Sequence, residues 1–273
     1  DPNIKFEITN YIISITIFTI YQSFLSALIS LIIGSIFAYY LKKNSEIGII
    51  KLIVNILSIL FVMPTIIIVL GMLTFFNSFT NIYGPFGIVF CHVILNLPLA
   101  TRIIYQSLND ISGNEYILAE QMGLKKFETF LATEWQIIKK NAPSLFALIF
   151  FICFVSFTPV LILGGSPKYS TIEVSIYQSV VFLNNYNTAF YLLILQLLIC
   201  SIIFFLTFKN FKSENFFLDD RKIHLKNELP FRNKFTDYSI IIFISLTLFI
   251  SPIAIFFRGI NLKFFEVFSS NYF

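Results

Sequence analysis

Acidic side chains are missing from every long apolar run of this sequence. Aspartate and glutamate together number 15 in 273 residues, and charged residues of both signs make up 12%. A soluble domain carries about a quarter, so there is too little polar surface to face water and a soluble globular class is excluded. Three cysteines, Cys91, Cys153 and Cys200, fall in different apolar runs without a CxxC spacing. That excludes a disulfide framework or a zinc site and leaves small apolar packing residues. No G-x-x-x-x-G-K-[ST] occurs either, so the chain encodes no ATPase of its own.

What the chain has is length of hydrocarbon. Hydrophobic residues make up 57%. A membrane span needs roughly 20 predominantly apolar residues, and six runs qualify: Tyr11–Leu41, Leu52–Phe76, Gly87–Leu108, Ser144–Leu163, Ala189–Phe208 and Tyr238–Phe257. The runs are continuous and do not alternate, so an all-α polytopic bundle is expected and a barrel is not. The first run exceeds one crossing, and its start should tilt or lie along the outer interface. Between the runs, fourteen Lys and Arg fall on one side and four on the other. This bias makes the basic side cytoplasmic. The net charge of +4 therefore reports topology, and no nucleic-acid partner is implied.

With that orientation, residues 1–10 lie outside and the polar stretch 209–237 lies inside as a solvated linker. It divides a first transmembrane unit, 1–208, from the start of a second, 238–273. The closing NLKFFEVFSSNYF reads as a lead-in to another membrane segment, so a longer protein is expected. No cleavable signal is expected at the start, because the first run ends in YYLKK rather than at a small-residue site. Pro64, Pro98 and Pro159 interrupt spans two, three and four, which a mere anchor would not need. His92 and Asn96 sit in span three, where polar groups face a bundle interior; His92 reads as packing or helix–helix hydrogen bonding. Arg102 is near enough to the cytoplasmic end to snorkel.

Two connecting segments are too structured for plain loops. The first, EYILAEQMGLKKFETFLATEW (115–135), packs four glutamates and two lysines among apolar residues. Ser112 to Glu115 has capping-box spacing, so a helix should start there, run to about Met122 and stop at Gly123 in a left-handed turn. A second helix from near Lys125 would set Phe127, Phe130, Leu131, Trp135 and Ile138 on one face. The second segment is the outer loop 164–188, where Ser170 and Glu173 repeat the capping spacing and predict a helix over 171–182. On it Glu173 and Tyr177 lie four apart. Two readings of Glu173 stay open: a helix cap, or a carboxylate beside an aromatic ring on a solute path.

On these residues the first segment resembles the cytoplasmic EAA loop of ABC-importer permeases. That pattern is Glu-Ala-Ala, three residues, Gly, then a run ending in Ile-x-Leu-Pro. Ala119 and Gly123 match, whereas Ile117-Leu118 stand in place of Glu-Ala and Trp135-Gln136 in place of Leu-Pro. The flanks YGPFGIVFCHVILNLPLATRIIYQSLNDISG and ALIFFICFVSFTPVLILGGSPKYSTIEVSIYQ resemble the thiamine or thiamine pyrophosphate permeases of that family. YQSFLSALIS (21–30) and SPIAIFFRGIN (251–261) extend the likeness to nearly the whole chain. Ferric-iron permeases share much of it and are the alternative.

The resemblance implies a multi-pass permease of the bacterial inner membrane, built as a tandem repeat, that is neither an enzyme nor a holder of a cofactor. It implies two separate ATPase subunits, a periplasmic solute-binding protein and a small-molecule solute as partners. The coupling loop, 109–140, would meet the ATPase through Glu115, Ala119, Glu120, Gly123, Phe127, Glu134 and Trp135. Asn96, Tyr169, Glu173, Tyr177 and Gln178 are candidates for the translocation path. Other classes fit less well. An intramembrane protease would need a Ser/His pair or two aspartates at membrane depth, and an ion-coupled secondary transporter usually shows acidic residues in its spans.

Overall fold

The computed structural model describes residues 2–76, 79–165, 168–208 and 234–261. Every regular element among them is an α-helix: α1 (Pro2–Lys43), α2 (Gly48–Val62), α3 (Thr65–Phe76), α4 (Pro85–Asn109), α5 (Gly113–Gln121), α6 (Lys126–Ala132), α7 (Glu134–Phe154), α8 (Thr158–Leu163), α9 (Ile172–Val181), α10 (Tyr186–Phe208) and α11 (Lys234–Asn261). Among these residues five helices are long and apolar enough to cross a membrane, and six if the bent pair α2 and α3 counts as one span. The polytopic helical bundle expected from the apolar runs is what forms.

Two spans differ from expectation, each at a proline. The run Leu52–Phe76 is two helices meeting at 103°. Pro64 brings no N–H and pushes the residue before it out of the helical region, so Met63 is extended at φ −60° and ψ 138°. The run Ser144–Leu163 is likewise not one helix. α7 begins ten residues earlier, at Glu134, and ends at Phe154; the chain restarts as α8 with Pro159 in its first turn, where a missing N–H costs nothing. Pro98, by contrast, lies inside an unbroken α4. The helix after the polar linker also starts early, at Lys234, so Asp237 belongs to α11 and is 2% exposed rather than solvated. Residues 209–233 of that linker, and 262–273, lie outside the described residues.

The bundle is organised around α1, which packs on α4 and α7. Thr19, Ser23, Ser26 and Ser30 recur three or four residues apart on its buried face, each 0% exposed. Small residues at that spacing let helix backbones approach where no hydrophobic effect drives association in lipid. Gln22 is buried on the same face and donates from Nε2 to the Cys153 carbonyl of α7, 3.1 Å away. His92 is 1% exposed, and neither ring nitrogen has a partner among the described residues, which favours packing over helix–helix bonding. α11 packs on α3. There Gly71 faces the Ser251 carbonyl so closely that any Cβ would collide with it.

Pairings between helix ends define two ends of the bundle. At the basic end, Lys43 of α1 bridges both carboxylate oxygens of Asp237 on α11, at 2.9 and 3.0 Å. At the opposite end, the Gly84 N–H before α4 donates to the Leu163 carbonyl of α8, 2.7 Å away.

Candidate functional site

The segment at the basic end folds as helix, turn, helix. α5 closes in a Schellman arrangement: Gly123 N–H donates to Glu120 O at 2.9 Å, and Leu124 N–H to Ala119 O at 3.1 Å. That closure requires φ of +71° at Gly123, and glycine occupies it without strain. The expected capping box at Ser112 is not formed. Ser112 has the extended backbone of a cap but no side-chain bond, and Glu115 is exposed. The cap that forms is one helix later, where Lys125 N–H donates to Glu128 Oε2 at 2.7 Å.

The second helix also differs from expectation. It breaks at Thr133, with φ −110° and ψ −83°, so Phe127, Phe130 and Leu131 ride on α6 while Trp135 and Ile138 ride on α7. Phe127 is 69% and Trp135 43% exposed, whereas Ile138 is buried. Phe130 turns to the Tyr39 ring of α1, 5.2 Å between centroids. Of the residues singled out from the sequence, Glu115, Glu120, Gly123, Phe127 and Trp135 are exposed, and Ala119 and Glu134 are buried.

Glu134 lies in a cluster that spacing alone did not reveal. Tyr116 Oη donates to Glu134 Oε1 at 3.0 Å, and Thr133 Oγ1 donates to Glu134 Oε2. Burial, and then the Glu134 carboxylate beside it, hold the Tyr116 phenol well above its ordinary pKa, so it stays a hydrogen-bond donor. Lys42 lies within electrostatic reach of Glu134 and Asp110.

Toward the other end, α9 dips into the bundle. The Ile172 N–H that opens it donates to Thr19 Oγ1 of α1 at 3.1 Å. Thr19 lies nine residues beyond Asn10, where the span candidate begins; at about 1.5 Å per residue this is a descent of ~13 Å. Thr171 caps α9 by backbone alone, so Glu173 is not the capping partner of Ser170. Glu173 Oε2 instead accepts from Gln196 Nε2 of α10 at 2.8 Å. Tyr177, one turn on and 36% exposed, stands edge-on to Phe157 at 5.1 Å and to Phe182 at 5.9 Å. Gln178 is half-buried on the same helix.

The other two candidates lie apart from this group. Tyr169 packs on the Phe18 ring at 5.8 Å, with Lys168 Nζ 5.3 Å over its face. Asn96 is 2% exposed and donates to the His92 carbonyl at 2.8 Å and to Cys153 Sγ at 3.3 Å. Among the described residues no three His, Cys, Asp or Glu side chains gather as a metal site.

A polytopic helical bundle with a structured hairpin at its basic end and a helix dipping in from the other has the form of a multi-pass membrane protein. The chain is 32% identical over 213 residues to the thiamine transport system permease protein ThiP of Haemophilus influenzae, covering 72% of this chain and 39% of that one. To the same-named protein of Escherichia coli it is 32% identical over 207 residues, covering 70% and 38%, and to that of Brucella abortus 30% over 187 residues, covering 63% and 34%. No family model matches the chain. Over these stretches the chain is similar to the thiamine transport permeases. It spans about two-fifths of the length of the curated relatives it matches.

Proposed function

We propose that this chain is the membrane-spanning part of an ATP-driven importer of thiamine or a thiamine phosphate in a bacterial inner membrane. The observation that carries the reading is the 32% identity over 213 residues to a protein named as a thiamine transport permease. Neither the ferric-iron reading nor an ion-coupled carrier is favoured. Residues 1–208 form a first permease unit and α11 opens a second. A periplasmic binding protein delivers the solute, and two ATPase subunits supply the work. The α5–α6 hairpin offers its exposed Met122 and Phe127 to the ATPase, the start of α7 adds Trp135, and α9 lines the path with Glu173 and Tyr177. A carboxylate one helical turn from a ring suits a cationic solute, the ring adding about 0.5–2 kcal/mol.

The test uses the full-length protein reconstituted with its ATPase and binding protein. Labelled thiamine should enter proteoliposomes only with ATP, and unlabelled thiamine, not ferric iron, should compete. ATP-dependent uptake of iron without uptake of thiamine overturns the assignment.

A further inference from the structure

The α5–α6 hairpin is attached to the bundle at few points. α6 buries no side chain, α5 buries only Ala119, and Phe130 adds an edge contact to Tyr39. The strongest remaining tie is polar. Glu134, the first residue of α7, is 8% exposed, and a carboxylate so buried needs hydrogen-bond partners. It takes one from α5, the Tyr116 hydroxyl, and one from Thr133 at the helix break. Lys42, at the basic end of α1, supplies nearby positive charge. One carboxylate is thus bonded by α5 and by the residue at the helix break.

Its position gives it leverage. The backbone between α6 and α7 is broken at Thr133, so a force applied to the hairpin could be lost by pivoting there. Beyond the break α7 runs unbroken to Phe154, and its Cys153 is bonded by Gln22 of α1 and Asn96 of α4. We propose that Glu134 is a positioning residue. It pins the hairpin across the Thr133 break, so that movement of α6 and its exposed Phe127 is delivered to α7 and α1. This role rests on the reading of the hairpin as the joint to an ATPase. Glu134 itself is 8% exposed and its carboxylate is turned to Tyr116 and Thr133.

Two measurements separate the pin from the importer reading. Hydrogen–deuterium exchange on the full-length permease alone, in nanodiscs, requires no partner. Glu134→Ala should raise exchange of the α5 and α6 amides about tenfold or more, as loss of a bond to a charged group implies, and leave α4 unchanged. Glu134→Gln keeps the acceptor and should fall between. Tyr116→Phe, which removes one hydroxyl and cannot disturb insertion, should raise exchange in α5 as well. Unchanged exchange in Glu134→Ala and Tyr116→Phe overturns the pin, whatever the protein carries. The second measurement is solute taken up per ATP hydrolysed in the reconstituted complex. It should drop several-fold in Glu134→Ala with the ATPase still bound. Loss of ATPase binding in that variant would make Glu134 a docking contact, and an unchanged ratio would end its role in transmission. If the wild type shows no ATP-driven uptake, the importer reading fails while the exchange result still decides the pin.

Discussion

Replacing Lys43 by methionine strands the Asp237 carboxylate. Asp237 is 2% exposed and its cation lies 2.9 Å away, so removal of the partner leaves a buried charge without the ion pair it has among the described residues. Breaking a buried pair from one side costs about 3–5 kcal/mol. Lys43 retains 20% exposure, so water already screens part of the pair, and the lower end, about 3 kcal/mol, is the working figure. For a chain of this size each kcal/mol moves the melting midpoint by roughly 2–4 °C, so Lys43→Met should lower it by about 6–12 °C. Cys91 and Cys153, both 0% exposed, make the assay direct: a thiol-reactive fluorogenic dye reads their release as the detergent-solubilised protein unfolds. Adding Asp237→Asn to Lys43→Met removes the stranded charge, so the double variant should melt above Lys43→Met alone. A Lys43→Met shift below about 2 °C, or two effects that simply add, would refute the buried pair as the tie between α1 and α11.

Three further outcomes follow from named positions. Gly123→Val meets open space but must hold φ near +71°, which costs a β-branched residue more than the ~1–2 kcal/mol of an ordinary one; insertion and melting of the bundle should persist while uptake per ATP falls, and full transport would remove the turn from its role. Gly71→Val drives a side chain into the Ser251 carbonyl, and forcing α3 from α11 should cost about 1–3 kcal/mol, read as a lower melting midpoint; an unchanged midpoint would show that α11 does not dock there. Tyr177→Leu should raise KM for thiamine by about 2- to 30-fold, the equivalent of losing ~0.5–2 kcal/mol of cation–π attraction, and Glu173→Gln should raise it at an unchanged melting midpoint; identical uptake kinetics in both variants would take α9 out of the path.

The spans were legible because hydrocarbon thickness demands length, and length is visible without tertiary structure. The bundle and the left-handed Gly123 turn both rest on such local signals. What the sequence hid is where local rules conflict. Pro64 and Pro159 are plain to see, but whether a proline kinks a span, splits it at 103° or sits quietly as Pro98 does depends on what packs beside it. A helical wheel drawn through 125–138 assumes one phase, and the turn at Thr133 resets it, so Phe127 and Trp135 do not share the face of one helix.

Three carboxylates have partners that the sequence hid. Capping spacing looks three residues ahead and solvation looks at composition, so neither shows a bond made to a distant helix, and Asp237 read as part of a solvated linker. Glu173, Glu134 and Asp237 are each bonded to another helix, with partners 23, 18 and 194 residues away. In a chain with only 15 acidic residues, a carboxylate buried against lipid-soluble helices persists only where a donor from elsewhere meets it. These three stand where α9 joins α10, where α5 joins α7 and where α1 joins α11, so in this protein a carboxylate drawn inward marks a place where two helices are tied.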